Sequence, residues 1–344
     1  MNSSQFINNE DITVVVQGPV QTLSDRPQEE GITLKCLNSV RQYLPGSKII
    51  LSTWNNQDLS NLDYDQLVIN DDPGPNILNY SKKNKPHNEN TNRLIVSTLG
   101  GLKEVKTKYA IKLRSDNYLT GDGFKKLFLN YQERGENFKL FKQRVVVINT
   151  YFREYTRGMR SAFVVCDFFN FGLLEDVIKL WDRPLLSDFE FDPAKKGLVQ
   201  SASAPLFRLD VTQELFLTPI NQMLDKKIDL QHLLDVKDNK LQICEEIYAN
   251  NLVTATPKKV GVGLTVKFMG KARVSKFKSR VSFYSHKKWQ LLYQRYCDKS
   301  FVVPNATRYK INRWILQLLF VRNRAIGSKF RMLRNRLVYF IKAK

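Results

Sequence analysis

The sequence predicts an α/β fold: a Rossmann-type, mostly parallel sheet flanked by helices, followed by a basic helical C-terminal extension. Three observations carry this. Short apolar runs alternate with helix-period segments through the first half. Several of those runs end abruptly in polar residues. The segment 305–344 contains no Asp or Glu, while its apolar residues recur at helical spacing.

The elements follow in order. "ITVVVQGPV" is an apolar strand closed by a Gly-Pro turn. "TLKCLNSVRQYLPG" is a helix with Leu34, Leu37 and Val40 on one face, stopped by Gly46. "SKIILSTW" and "YDQLVINDDPGP" are the second and third strands, the latter broken by Pro73 and Gly74. "NTNRLIVSTLGGLKEVKT" is a helix carrying Leu94, Ile95, Thr98, Leu102 and Val105, and "YAIKLRSDNYL" is the next strand. "RVVVINTYF" and "SAFVVCDFFNFG" read as strands, "LLEDVIKLWD" as a helix, and "VTQELFLTPINQMLDKKI" as a helix capped by Thr212. "CEEIYANNLVTATP" runs from helix into strand. Such βαβ alternation builds parallel sheets, whose ligands bind at the carboxyl ends of the strands.

The chain has 344 residues, 42% of them hydrophobic and 11% aromatic, enough to bury a sizeable core and to exclude disorder. Fifty-four Lys and Arg against thirty-three Asp and Glu give a formal charge of +21. That field favours anionic partners. No recognised DNA- or RNA-binding motif accompanies it, so nucleic acid is not expected as a partner. Cys36, Cys166, Cys244 and Cys297 form no C-x-x-C pair and read as reduced thiols. No basic segment followed by an apolar one opens the chain, and runs such as "WILQLLFV" fall short of the ~18 residues a spanning helix needs. The protein is expected on the side of the membrane where it is made.

Four polar strand ends converge on one expected crevice: Gln17-Gly18-Pro19, Thr53-Trp54, Asn70-Asp71-Asp72 and Arg114-Ser115-Asp116-Asn117. GxGxxG and GxxxxGK[ST] loops are absent, which excludes a dinucleotide fingerprint and a P-loop. Asp71 and Asp72 fit contact with a base or ribose, or an Asx turn before Pro73. Asn92 and Arg93 open a helix, where free N–H groups and a cation attract phosphate. Asp116 is the pointed candidate for a divalent metal, either Mg²⁺ or Mn²⁺. Lys112 and Arg114 share its side of the strand and offer fixed positive charge instead. Glu214, Asp210 and Asp167 are the candidate bases for an acceptor hydroxyl, with a favourable place for an acid in a first helical turn as the plain reading of Glu214. His286 is a weaker candidate as metal ligand or base. His87 sits in a polar loop, and His232 has no constellation around it.

"ITVVVQGPV", "LPGSKIILSTW", "LVINDDPGP", "NTNRLIVSTLGGLKEVKTKYAIKLRSDNYL" and "DFFNFGLLEDVIKLW" together resemble the WavE-type lipopolysaccharide-synthesis proteins over roughly residues 10–255. The resemblance implies a bacterial glycosyltransferase with a GT-A-like domain. Its donor would be a nucleotide sugar and its acceptor a lipid-linked glycan, in core, O-antigen or capsule assembly. It would work in the cytoplasm, peripheral at the inner membrane. "RSDN" stands where such enzymes carry D-x-D, and the first carboxylate is missing. That departure sets metal-independent transfer, for instance from a CMP-activated sugar, beside metal-assisted transfer. A non-catalytic protein that binds membrane or polyanion is the alternative of a different class. The expected organisation is a transferase domain over 1–260 and a basic extension over 261–344, whose amphipathic helices fit an anionic membrane surface.

Overall fold

In the computed structural model, residues 6–20, 28–80, 84–190, 209–269 and 280–342 are described. The strands are β1 (Ile12–Gln17), β2 (Lys48–Trp54), β3 (Gln66–Asn70), β4 (Asn76–Tyr80), β5 (Pro86–Glu89), β6 (Tyr109–Arg114), β7 (Asn117–Leu119), β8 (Val145–Ile148), β9 (Tyr155–Thr156), β10 (Met159–Arg160), β11 (Phe169–Leu173), β12 (Leu252–Ala255) and β13 (Val262–Leu264). The helices are α1 (Ile32–Tyr43), α2 (Thr91–Lys103), α3 (Gly123–Leu129), α4 (Leu174–Trp181), α5 (Val211–Gln222), α6 (Lys240–Asn251), α7 (Pro257–Val260), α8 (Val266–Met269), α9 (His286–Tyr296), α10 (Ala306–Phe320) and α11 (Ala325–Lys342).

Seven strands form the central sheet in the order β12-β8-β11-β6-β1-β2-β3. β1 pairs in parallel with β2 and β6, β2 with β3, and β12 with β8. Only β11 runs antiparallel, between β6 and β8. The expected mostly parallel α/β sheet is what the chain forms. Its strands read as continuous apolar runs because helices cover both faces. Val14 and Val16 point into one core with Leu37, Val40 and Trp289, while Val15 points into the other with Ile95, Leu215 and Tyr248.

Local differences from the expected elements have physical causes. Leu34 is exposed, because Ile32, Cys36, Leu37 and Val40 already form the buried stripe of α1. Only Phe169–Leu173 of "SAFVVCDFFNFG" is strand. Asp210, not Thr212, caps α5: its Oδ1 accepts from the Thr212 backbone N–H, and Gln213 completes a capping box. The expected division at residue 260 does not coincide with a break in packing. β13 pairs with β7, and Val262, Leu264, Trp289 and Tyr293 share the core of Val14 and Val16.

Candidate active site

Sheet order reverses beside β1, the place where ligands of open α/β sheets sit outside the carboxyl ends of the strands. A cavity of about 730 Å³ opens there. Gln17, Gly18 and Pro19 come from the end of β1, Trp54 from β2 and Arg114 from β6. The start of α2 adds Thr91, Arg93, Leu94 and Ser97. The start of α5 adds Asp210, Val211, Thr212 and Leu215. Gly18 makes the turn at φ +117°, and a Cβ there would sit 3.0 Å from Ser115 Oγ. Ser97 Oγ holds the Gln17 side chain through Oε1 at 2.7 Å. Trp54 Nε1–H is buried and has no hydrogen-bond partner among the described residues, a donor that a ligand could satisfy.

β11 explains how Asp167 and Phe168 arrive. Because β11 runs backwards, its N-terminal end lies level with the carboxyl end of β6, with Phe169 opposite Leu113. The residues just before it therefore meet Arg114. Arg114 Nη1 lies 3.6 Å from Asp167 Oδ2. Its Nε and Nη2 donate to both oxygens of Asp116 at 2.7 and 2.8 Å. Phe168 and Phe268 flank the guanidinium, 5.0 and 5.4 Å from ring centre to Cζ. Burial opposes the Arg114 charge, but Asp116 and then Asp167 hold its pKa above the ordinary arginine range.

Tyr151, Arg153, Lys267 and Phe268 complete the lining. Tyr151 has φ +59°, a left-handed backbone that costs a non-glycine residue about 1–2 kcal/mol. Arg153 makes no salt bridge among the described residues, and its Cζ lies 5.8 Å from the Tyr151 ring centre. Sequence reading missed Tyr151 and Arg153, because the segment after β8 has no periodicity to place it.

The remaining expected residues are placed elsewhere. Asp71 and Asp72 are exposed and line no part of the cleft; Asp72 instead pairs with Arg93, both Nε and Nη2 donating at 2.7 Å. Asn92 is a brace rather than a ligand contact: its side chain bonds both the N–H and the carbonyl of Leu186. Thr53 and Asn117 are fully buried and outside the lining. Asp116 is turned under the cleft into Arg114. Glu214 also stands outside the lining, one residue from Leu215. His286 is structural: Nδ1 bonds the Thr254 carbonyl at 2.7 Å and Nε2 the Tyr131 hydroxyl at 3.0 Å. Burial pulls its pKa down to about 4, which keeps it neutral. His87 is exposed on β5, and His232 Nδ1 accepts from the Leu234 N–H. The four cysteines are free thiols.

A family model described as WavE lipopolysaccharide synthesis matches residues 12–320. The chain belongs to the WavE lipopolysaccharide synthesis family. The match runs well past residue 255, the limit reached by the sequence blocks, and includes β13, α9 and α10. Family membership carries a role in lipopolysaccharide synthesis. No curated protein matches the sequence. Among solved structures, the chain is similar to the 4-diphosphocytidyl-2C-methyl-D-erythritol synthase of Anaerococcus prevotii. Identity is 10% and the TM-score 0.32, over 69% of this chain and 97% of that one. Such a likeness is too distant to support a function.

In this WavE chain a divalent cation finds a poor set of donors. Both Asp116 oxygens are taken by Arg114, whose guanidinium also stands beside Asp167. Among the described residues, no three His, Cys, Asp or Glu side chains converge as ligands. Among the described residues, this donor set does not fit a resident metal.

Lys112 does not reach the cleft as strand alternation suggested. It is fully buried beneath the floor, its Nζ donating to the Asp167 carbonyl and lying 4.7 Å from the Trp181 ring centre. Burial pulls its pKa from 10.5 down to about 7, with Asp167 opposing. Between those values the unfolded chain holds a proton that the folded chain lacks, so stability rises with pH through this window. Denaturant midpoints measured from about pH 6.5 to about pH 9 should climb more steeply for the wild type than for Lys112→Met. Equal slopes would assign the pH dependence to other groups.

Proposed function

We propose that the protein is a glycosyltransferase with a GT-A-like domain. It moves a sugar from a nucleotide-sugar donor to a lipid-linked glycan acceptor in lipopolysaccharide or O-antigen assembly, at the cytoplasmic face of the inner membrane. The observation that carries this is the cleft at the switch point, with a fixed guanidinium, Arg114, on its floor. Arg153 and Lys267 line the same cleft. A departing phosphate gains negative charge, and preorganised cations in a partly dry cleft stabilise that charge without reorganising. Trp54 Nε1–H suits a carbonyl oxygen of the base.

Asp167 is the base that this geometry favours over Asp210 and Glu214. Asp210 Oδ1 is committed to its helix cap, and Glu214 lies outside the lining. In the proposed single displacement, the acceptor oxygen bonds to the anomeric carbon as the bond from that carbon to the phosphate oxygen breaks. The acceptor proton passes to the Asp167 carboxylate, and the electron pair of the broken bond leaves with the phosphate.

The donor set that ill fits a metal favours a leaving group needing little metal assistance, such as the monophosphate of a CMP-activated sugar. Binding should be screened with UDP-, GDP-, dTDP- and CMP-sugars, with and without Mn²⁺. Transfer is expected to survive EDTA. Asp167→Asn is expected to lower turnover about 10²–10⁴-fold with donor affinity nearly unchanged. A strict Mn²⁺ requirement would overturn the metal-independent part. If no donor binds and Asp167→Asn leaves lipopolysaccharide assembly intact, a non-catalytic binding role takes its place.

A further inference from the structure

Helix α10 has two faces of opposite character. Tyr309, Arg313 and Gln317 recur at i, i+4 and i+8 and grip the body: Tyr309 bonds Ser285, and Arg313 and Gln317 both donate to Glu154. The other face carries Ile311, Trp314, Ile315, Leu318 and Leu319, each at least 41% exposed. Helix α11 continues the pattern with Ile326, Phe330, Leu333, Leu337 and Phe340, all more than half exposed. Its first turns are also seated on the body. Ser328 Oγ donates to the Arg157 carbonyl, and a Cβ at Gly158 would come within 2.5 Å of Ala325 N.

The apolar stripes are thus presented by helices held in place. Arg308 and Lys310 stand exposed near the head of α10, and Arg322, Arg324 and Lys329 at the junction of the two helices. The whole segment 305–344 has no acidic residue. No helix among the described residues is long and apolar enough to cross a membrane. An apolar stripe rimmed by cations only, on helices too polar to insert, is complementary to an anionic lipid surface.

We propose that the outer faces of α10 and α11 seat the protein on an anionic bilayer, with Ile315, Leu318 and Leu337 among the residues that enter the headgroup boundary. The inference stands apart from the transferase reading, since binding needs no donor or acceptor. The full-length protein is tested against vesicles of phosphatidylcholine containing phosphatidylglycerol, and against vesicles of phosphatidylcholine alone.

The chain has four Trp residues; Trp54, Trp181 and Trp289 are at most 4% exposed, whereas Trp314 is 56% exposed. A blue shift of intrinsic fluorescence on the anionic vesicles therefore reports Trp314, and it should vanish in Trp314→Phe. Co-sedimentation should weaken as salt rises. Leu318→Glu/Leu337→Glu, at exposed positions, should lower partitioning on the order of thirtyfold or more while the thermal transition is kept. Equal binding to both vesicle types, or binding unchanged by the double variant, overturns the proposal. So does a dimer seen by light scattering that the double variant abolishes, since a second copy would then cover the face.

Discussion

Replacing Arg114 by methionine is expected to remove about 3–5 kcal/mol of folding stability, read as a fall in the denaturant midpoint. The reason lies in Asp116, which is 5% exposed and donates nothing to the cleft lining. With the guanidinium gone, a carboxylate stays in a nearly dry site without its bidentate partner. Taking both away should cost far less, because Asp116 is no longer left uncompensated and only the looser 3.6 Å contact to Asp167 is lost. Arg114→Met/Asp116→Leu is therefore expected to recover most of the lost stability.

Turnover should behave differently. If Arg114 stabilises the departing phosphate, the double variant folds yet transfers sugar about 10²–10³-fold more slowly. Arg114→Lys keeps the charge but loses the planar fork, so it should fall between wild type and the double variant in both measurements. A double variant with wild-type turnover would reduce Arg114 to a scaffold for Asp116, and the proposed mechanism would lose its central cation.

The strand and helix order of the first half was legible because β1, β2 and β6 are apolar runs of a doubly covered sheet, and α1 and α2 carry clear stripes. The carboxyl-end rule pointed to Gln17, Gly18, Trp54 and Arg114, and all four line the cleft. It failed at β3 because that strand lies at the sheet edge, away from the switch point, so Asp71 and Asp72 face solvent. It failed for Asp116 in another way. The residue stands past the end of β6, where the chain turns, and strand alternation no longer says which way a side chain points.

Asp167 was named, but its reason for reaching the cleft was hidden. Nothing in "CDFFNFG" says that β11 runs antiparallel, and that reversal is what brings its first residues to the ligand end of the sheet. Arg153 and Tyr151 were invisible for a related reason: irregular backbone with a left-handed residue has no period to read. The basic tail was legible as amphipathic helices. Its attachment was not, because the partner of Arg313 and Gln317 is a single Glu some 160 residues away in sequence.

That Glu carries the second large expectation. Glu154 is 4% exposed and pairs with Arg160, with Arg313 at 2.7 Å and with Gln317 at 2.8 Å. Glu245 shares Arg160 and reaches Lys288 at 3.2 Å. Burial works against the Glu154 charge, but Arg313 and then Arg160 hold its pKa below the ordinary carboxylate value. A depressed folded value means that the stabilisation is present at neutral pH and is lost as pH falls through the acid range. Glu154→Gln keeps the shape and removes the charge, leaving Arg160 and Arg313 partly buried against a neutral amide. The expected cost is about 3–5 kcal/mol, concentrated where Arg313 and Gln317 dock. Hydrogen exchange should therefore quicken first in 306–320 and least in β1 and β6. Uniform acceleration across the sheet would mean that Glu154 supports the whole fold and is no local clamp. The consequence reaches the cleft, because Arg153 precedes Glu154 and lines the wall. If α10 rests on a bilayer, the clamp fixes the height of that wall above the lipid. Glu154→Gln should then keep vesicle binding, which depends on the outer face, while transfer to a membrane-held acceptor falls more than transfer to a soluble one.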